Sequence, residues 1–216
     1  MNQIQILHHH AEELREQEKF DEALEIYAKV IKLYYADKNY SGVADALGGQ
    51  MLTHKHLFLI NKKQEYLDLA LGSATASLNI AKKYKQNDIL YRCYFRLGEV
   101  DMLSQEYKSA IKNYQKAINL YPNINSEKGD FQYHLGEAQY KSGDIKVGLS
   151  NLLTGLKTIQ EYRDSTDSFL INVWESGCLI KLFTYTKDKK YYNLAKKIID
   201  NDDRLIIRKR QLKSCL

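Results

Sequence analysis

Residues 91–122, YRCYFRLGEVDMLSQEYKSAIKNYQKAINLYP, decide the fold. Apolar residues recur in this stretch at helical spacing in two separate runs. Tyr94 and Leu97 mark one apolar face, and Tyr114 and Ile118 mark a second. The spacing predicts one helix over about 88–103 and another over about 107–120, with Ser104, Gln105 and Glu106 as the turn between them. Gly98 and Ala110 are small where two helices must cross closely. Pro122 lacks the amide hydrogen needed to continue a helix and ends the second one.

Counted from Tyr91, the residues Tyr94, Leu97, Gly98, Ala110, Tyr114, Ala117 and Pro122 stand at positions 4, 7, 8, 20, 24, 27 and 32 of a 34-residue unit. This pattern resembles the tetratricopeptide repeat (TPR). The resemblance implies an all-α fold, an α-solenoid built as a right-handed superhelix of antiparallel helix pairs. It also implies binding rather than catalysis. Other segments fall in phase with it. Phe20, Ala23 and Tyr27 repeat the helix-B spacing and place a first unit at about 4–37, although His10-Ala11 stands where Leu-Gly is expected. Leu47-Gly48 opens a longer unit at about 41–85, with helices near 40–60 and 64–85 and a turn at Asn61-Lys62-Lys63. Leu135-Gly136 opens another at about 129–162. There Gly148 and Gly155 replace Ala110 and Ala117, each costing about 1 kcal/mol of helix propensity. That helix is expected to be held by its neighbours. Leu182, Tyr192 and Ala195 place a fifth pair at about 168–202. Residues 204–216 space Leu205, Leu212 and Leu216 as a capping helix over the last unit. The expected organisation is one TPR-like domain over 1–216, with about five units (the central one at 91–124) and a cap.

Composition excludes several classes. The chain has 216 residues, 44% hydrophobic, with a single proline and no sustained period-two runs. No basic segment followed by an apolar run opens it, and no stretch approaches 18 apolar residues, so no secretion signal and no membrane span are expected. Cys93, Cys178 and Cys215 are scattered and odd in number, as suits reduced thiols and a cytoplasmic location. Gly48-Gly49 has no strand before it and no lysine after it, so it fails as a phosphate loop. His8, His9 and His10 are adjacent on a helix, point about 100° apart and do not converge on one ion. No constellation supports catalysis. No enzyme, metal or cofactor is expected.

The resemblance implies that the first helix of each pair lines the inner face, through positions 2, 5, 9 and 12. These are Arg92, Phe95, Glu99 and Met102 in the central unit, with Arg96 beside them. The next unit supplies Asp130, Tyr133, Glu137 and Tyr140, and the first supplies Glu12. Position 9 is glutamate in three units, Glu12, Glu99 and Glu137, and Gly49 interrupts the row. Aromatics beside a carboxylate ladder suit a protein or peptide partner carrying basic groups. The expected partner contacts are therefore Glu12, Arg92, Phe95, Arg96, Glu99, Tyr133, Glu137 and Tyr140. TPR proteins that grip a chaperone's terminal carboxylate use five basic and amide residues over three units. Arg92 and Arg96 match the last two, whereas His8, Glu12 and Ala46 do not match the others.

Charge is uneven along the chain. Lys187–Lys213 holds ten Lys/Arg against four Asp, a net +6, while the total is +5. Arg204, Arg208, Lys209 and Arg210, with Lys213, crowd the last helix and offer contacts to an anionic partner. Three readings follow: a peptide-binding adaptor, a peptide-sensing module of a bacterial-type regulator, and a nucleic-acid contact through the basic end.

Overall fold

A computed structural model of the chain describes residues 2–165 and 167–215. Among the described residues there are eleven α-helices, one short 3-10 helix and no strand. In chain order the helices are α1 Gln3–Glu16, α2 Phe20–Ala36, α3 Tyr40–Asn61, α4 Gln64–Lys83, α5 Leu90–Leu103, α6 Tyr107–Leu120, α7 Ser126–Lys141, α8 Ile145–Glu161, α9 Ser168–Thr186, α10 Lys189–Asp200 and α11 Ile206–Lys213. The all-α solenoid expected from the sequence is the fold observed. Leu216, expected on the capping helix, lies outside the described residues.

The chain divides into two compact units, Met1–Leu120 and Tyr121–Leu216. In the first, each helix packs on the next from α1 to α6. In addition α1 meets α3 and α3 meets α5, so these odd-numbered helices share one face. Tyr27, Val30, Tyr34, Val43 and Ala46 fill the space between α2 and its neighbours. Met51, Leu67, Ala70, Ala74 and Val100 fill the next layer. The wide tyrosine rings fit because glycines face them. A methyl carbon on Gly49 would lie 2.3 Å from the Tyr27 ring, and one on Gly98 would lie 2.6 Å from the Tyr114 ring. In the second unit, α9 is central: α7, α8, α10 and α11 all pack on it. Leu152, Ile159, Ile171, Leu179, Leu182 and Ile199 form the core there.

Local chemistry fixes the helix ends. Asn2 and Gln5 form a reciprocal cap on α1, each side chain bonding the other's amide at 2.8–2.9 Å. Asn125, Asp144, Asp167 and Asp188 cap α7, α8, α9 and α10 in the simpler way. Among the described residues, seven interhelix turns contain a residue in the left-handed region: Glu18, Lys38, Lys62, Lys85, Gln105 and Lys187 at φ 55–62°, and Gly143 at φ 103°. In five of them the following amide returns to a carbonyl five residues back. Lys19 bonds Leu14, Asn39 bonds Tyr34, Gln86 bonds Ala81, Glu106 bonds Asp101 and Asp144 bonds Gln139, all at 2.8–3.0 Å.

The glycines of α8 have partners on α7. A methyl carbon on Gly155 would lie 2.7 Å from the Gly129 carbonyl oxygen, and one on Gly136 would lie 2.7 Å from the Gly148 oxygen. Two glycine pairs, seven residues apart on each helix, thus let the backbones of α7 and α8 touch. The expectation that neighbours hold α8 therefore has a specific physical form. The helix surrenders propensity at Gly148 and Gly155 and gains close backbone contact.

Candidate functional site

In the Met1–Leu120 unit, α1, α3 and α5 bring a set of charges onto one face. Arg92 and Arg96 project from α5, one helical turn apart. Arg92 Nη1 donates to Asp45 Oδ1 of α3 at 3.0 Å. Arg96 Nη1 donates to Glu99 Oε2 at 2.7 Å, and Lys55 Nζ of α3 reaches Glu99 Oε1 at 2.5 Å. Glu99 is only 5% exposed. Burial alone would raise the Asp45 carboxyl, but Arg92, with His8 and Arg96 behind it, holds it below the ordinary carboxylate value.

A shallow crevice too small to hold a water-sized sphere lies between these groups. It is lined by Ala44, Gly48 and Ile89 together with Asp45, Arg92, Arg96, Ser77 and Cys93. Ser77 Oγ donates to the Ala44 carbonyl at 2.6 Å and lies 3.2 Å from Cys93 Sγ, whose thiol pKa burial pushes up. The thiol is therefore protonated at neutral pH and unsuited to attack. One group in this cluster is unsatisfied: Arg96 Nε is buried with no hydrogen-bond acceptor among the described residues. Three cations (Lys55, Arg92, Arg96) share the face with two carboxylates (Asp45, Glu99).

The second unit has its own cluster. Glu137 of α7 accepts from Lys181 Nζ at 2.7 Å and from Tyr185 Oη at 2.9 Å, both on α9. Tyr140 stacks on Tyr185 at 4.2 Å between ring centres. Burial would raise the Glu137 carboxyl, but Lys181, with His134 and Lys141 behind it, lowers it to about 2. The folded value lies below the unfolded one, so the stabilisation is complete above about pH 4.5 and is lost as the pH falls through about 2. Urea melts over this range should show an acid-side loss on the order of 2–3 kcal/mol, which Glu137→Gln abolishes.

The structure sorts the expected partner contacts. Arg92, Arg96, Glu99 and Glu137 sit in ion pairs. The row of glutamates is thereby corrected: Glu99 and Glu137 are buried and already neutralised, so they offer no open ladder to a basic peptide. Phe95 and Tyr133 are also corrected. They are 3% and 1% exposed and serve the core, Phe95 against Tyr114 and Tyr133 among Leu156, Cys178 and Leu179. Tyr140 is half-buried, and Glu12 is partly exposed, 3.5 Å from His9. His8 is buried against Tyr27 and Tyr34, while His9 and His10 lie at the surface. Sequence reasoning missed Asp45, Lys55, Lys181 and Tyr185. Their positions on inner-face helices were the available signal, but the unequal unit lengths hid the register.

At the basic end, Arg204 and Arg208 are already engaged. Arg204 holds Asp202 with two bonds of 2.8 Å, and Arg208 donates to the Val173 carbonyl at 2.9 Å. Lys209 and Arg210 are exposed. No group of three or more potential metal ligands occurs among the described residues, and none of their helices is long and apolar enough to cross a membrane.

Comparisons with known proteins agree with this architecture. Residues 91–124 match the tetratricopeptide repeat profile. No curated protein matches the sequence. Among solved structures, the chain is similar to two of the kinesin light chain-like, nearly identical TPR-like repeats from Podosopora anserina, each with a TM-score of 0.57 and 10% identity. One alignment covers 94% of this chain and 99% of that one; the other covers 100% and 97%. At this identity the likeness is one of fold, and the repeat recognised at 91–122 is the segment the profile matches.

Proposed function

We propose that this TPR-like repeat chain is a non-catalytic scaffold that binds a peptide segment of another protein on the α1–α3–α5 face. The partner places a hydrogen-bond acceptor, a carboxylate or a backbone carbonyl, against Arg96 and Arg92. The observation that supports this reading is a cluster in which three cations, Lys55, Arg92 and Arg96, meet two carboxylates, Asp45 and Glu99, with the arginine side chains partly exposed. A hydrogen bond to a charged donor contributes about 1.5–3 kcal/mol, so an acceptor that a partner brings to the exposed part of these guanidinium groups is a direct source of affinity. The carboxylates that would favour a basic peptide are satisfied internally, which turns the preference toward acceptor-bearing partners.

The test is selection of peptides from a displayed random library against the whole chain, followed by affinity measurements. Selected peptides should be enriched in Asp, Glu or a free terminal carboxylate. They should bind the Arg92→Gln and Arg96→Gln variants roughly 10–100-fold more weakly, the value of one charge-assisted hydrogen bond. Unchanged circular dichroism would establish that the variants fold. Peptides that bind both variants as tightly as the parent would overturn the proposal.

A further inference from the structure

We propose that Tyr40 and Tyr84 form a dityrosine site: oxidised by peroxide and a haem peroxidase, they join ring to ring and close the α3–α4 hairpin at its open end. Three tyrosines meet there. Tyr35 comes from the last turn of α2, Tyr40 opens α3 and Tyr84 follows α4. Tyr35 is 49% exposed, and Tyr40 and Tyr84 are half-buried, so each reaches solvent.

The rings of Tyr40 and Tyr84 lie face to face, with 3.5 Å between centres and 6° between planes. Aromatic pairs ordinarily slide or tilt until their centres are about 4.5–7 Å apart. Without that offset the carbons of one ring lie over those of the other. The hydroxyls share one side of the stack. That of Tyr84 is 3.2 Å from the Tyr35 hydroxyl and is also within hydrogen-bonding reach of the Tyr40 hydroxyl. Rings aligned in this sense set the carbon beside one hydroxyl against the carbon beside the other. Tyr35 stands edge-on to Tyr40, 5.7 Å away at 80°, and steadies the pair through its hydroxyl. Tyr140 and Tyr185 are the contrasting pair in the other unit. Their centres are 4.2 Å apart and their planes are tilted by 27°, which draws the ring carbons apart.

The reaction balances. Each phenol loses one electron and its O–H proton to the peroxidase, and hydrogen peroxide is reduced to two waters. The unpaired electron of each phenoxyl is shared with the carbons beside the oxygen. Two such carbons, one from each ring, pair their electrons in a new C–C bond. The hydrogens on those carbons then move to the oxygens and restore both phenols. The chain ends lighter by two hydrogen atoms. α3 and α4 are otherwise joined through Lys62 and Lys63, at the far end of the pair. At the tyrosine end only weak bonds hold, among them Ser41 Oγ donating to Asp88 Oδ2 at 2.8 Å. A covalent link there makes residues 40–84 a ring. Closing a loop of that length takes entropy from the unfolded chain, as a disulfide does.

The test treats the whole chain, kept dilute, with hydrogen peroxide and a haem peroxidase. The product should run as a monomer, show dityrosine fluorescence, and yield on digestion one peptide pair joining Tyr40 to Tyr84. Its melting temperature should rise by roughly 5–10 °C. Y84F keeps the ring without the phenol, so it should fold as the parent does and lose the product. Y35F and Y140F should retain it. The proposal is overturned if digestion maps the link to another pair or between two chains. It is equally overturned if Y84F gives as much product as the parent, if Y35F removes the product, or if the linked chain melts where the unlinked one does.

Discussion

Gly155→Leu should lower the stability of the Tyr121–Leu216 unit by about 3 kcal/mol or more, with a fall in melting temperature of roughly 10 °C. Even the first carbon of a side chain at this position meets main chain: the Gly129 oxygen and the Tyr133 nitrogen, both at 2.7 Å. A crowded side chain can rotate away, but a helix backbone can only separate from its neighbour. Separating α7 from α8 also opens the Gly136–Gly148 contact one heptad along. Gly72→Ala is the matching control. It lies exposed on α4 with nothing within 4 Å of an added carbon, so it should gain about 0.5–1 kcal/mol from helix propensity alone. Thermal melts of the two variants that moved in the same direction would refute the backbone contact.

Glu99→Ala should destabilise the Met1–Leu120 unit by about 3–5 kcal/mol, the range for removing one member of a buried ion cluster. Lys55 and Arg96 approach the same carboxylate from α3 and α5, with side chains 18% and 21% exposed. Without Glu99 two cations face each other in a poorly solvated place. Adding Lys55→Ala should restore part of the loss, because it removes one of the stranded charges. A double-mutant cycle from urea melts gives the coupling directly, and a coupling near zero would show that Lys55 and Glu99 are independent. Loss of peptide binding in Glu99→Ala would then reflect stability as well as contact, which is why Arg92, paired with Asp45 where both side chains are about a third exposed, is the cleaner probe of the binding face.

How much of this was legible in the sequence depends on the range of the interaction. α6 was readable end to end because Ala110, Tyr114 and Ala117 give the period and Pro122 gives the stop. α1 was harder, since His10-Ala11 breaks the expected pair. Yet Ala11 is fully buried, and the Asn2–Gln5 cap supplies the start. Gly148 and Gly155 read as weaknesses because a propensity scale sees one helix at a time. Their meaning appears only beside Gly129 and Gly136. Glu99 and Glu137 stood out at the same repeat position, but each finds its lysine 44 residues away, Lys55 before the one and Lys181 after the other. Periodicity along a single helix carries no record of such pairings. The sequence placed the candidate residues on α1, α5 and α7, and could not show that Glu99 and Glu137 are already paired.

The left-handed turns carry a consequence for how such a chain can change length. Six of the seven are held by residues other than glycine, and five close with the same backbone bond, which depends on no side chain. Nothing in such a joint measures the helices it connects. A helix may have 14 residues, as α5 has, or 20, as α4 has, and end in the same closure. Insertions of a helical turn are thus absorbed between joints. The 34-residue pattern is complete at 91–122, where both helices have 14 residues, and partial at 41–85, where they have 22 and 20.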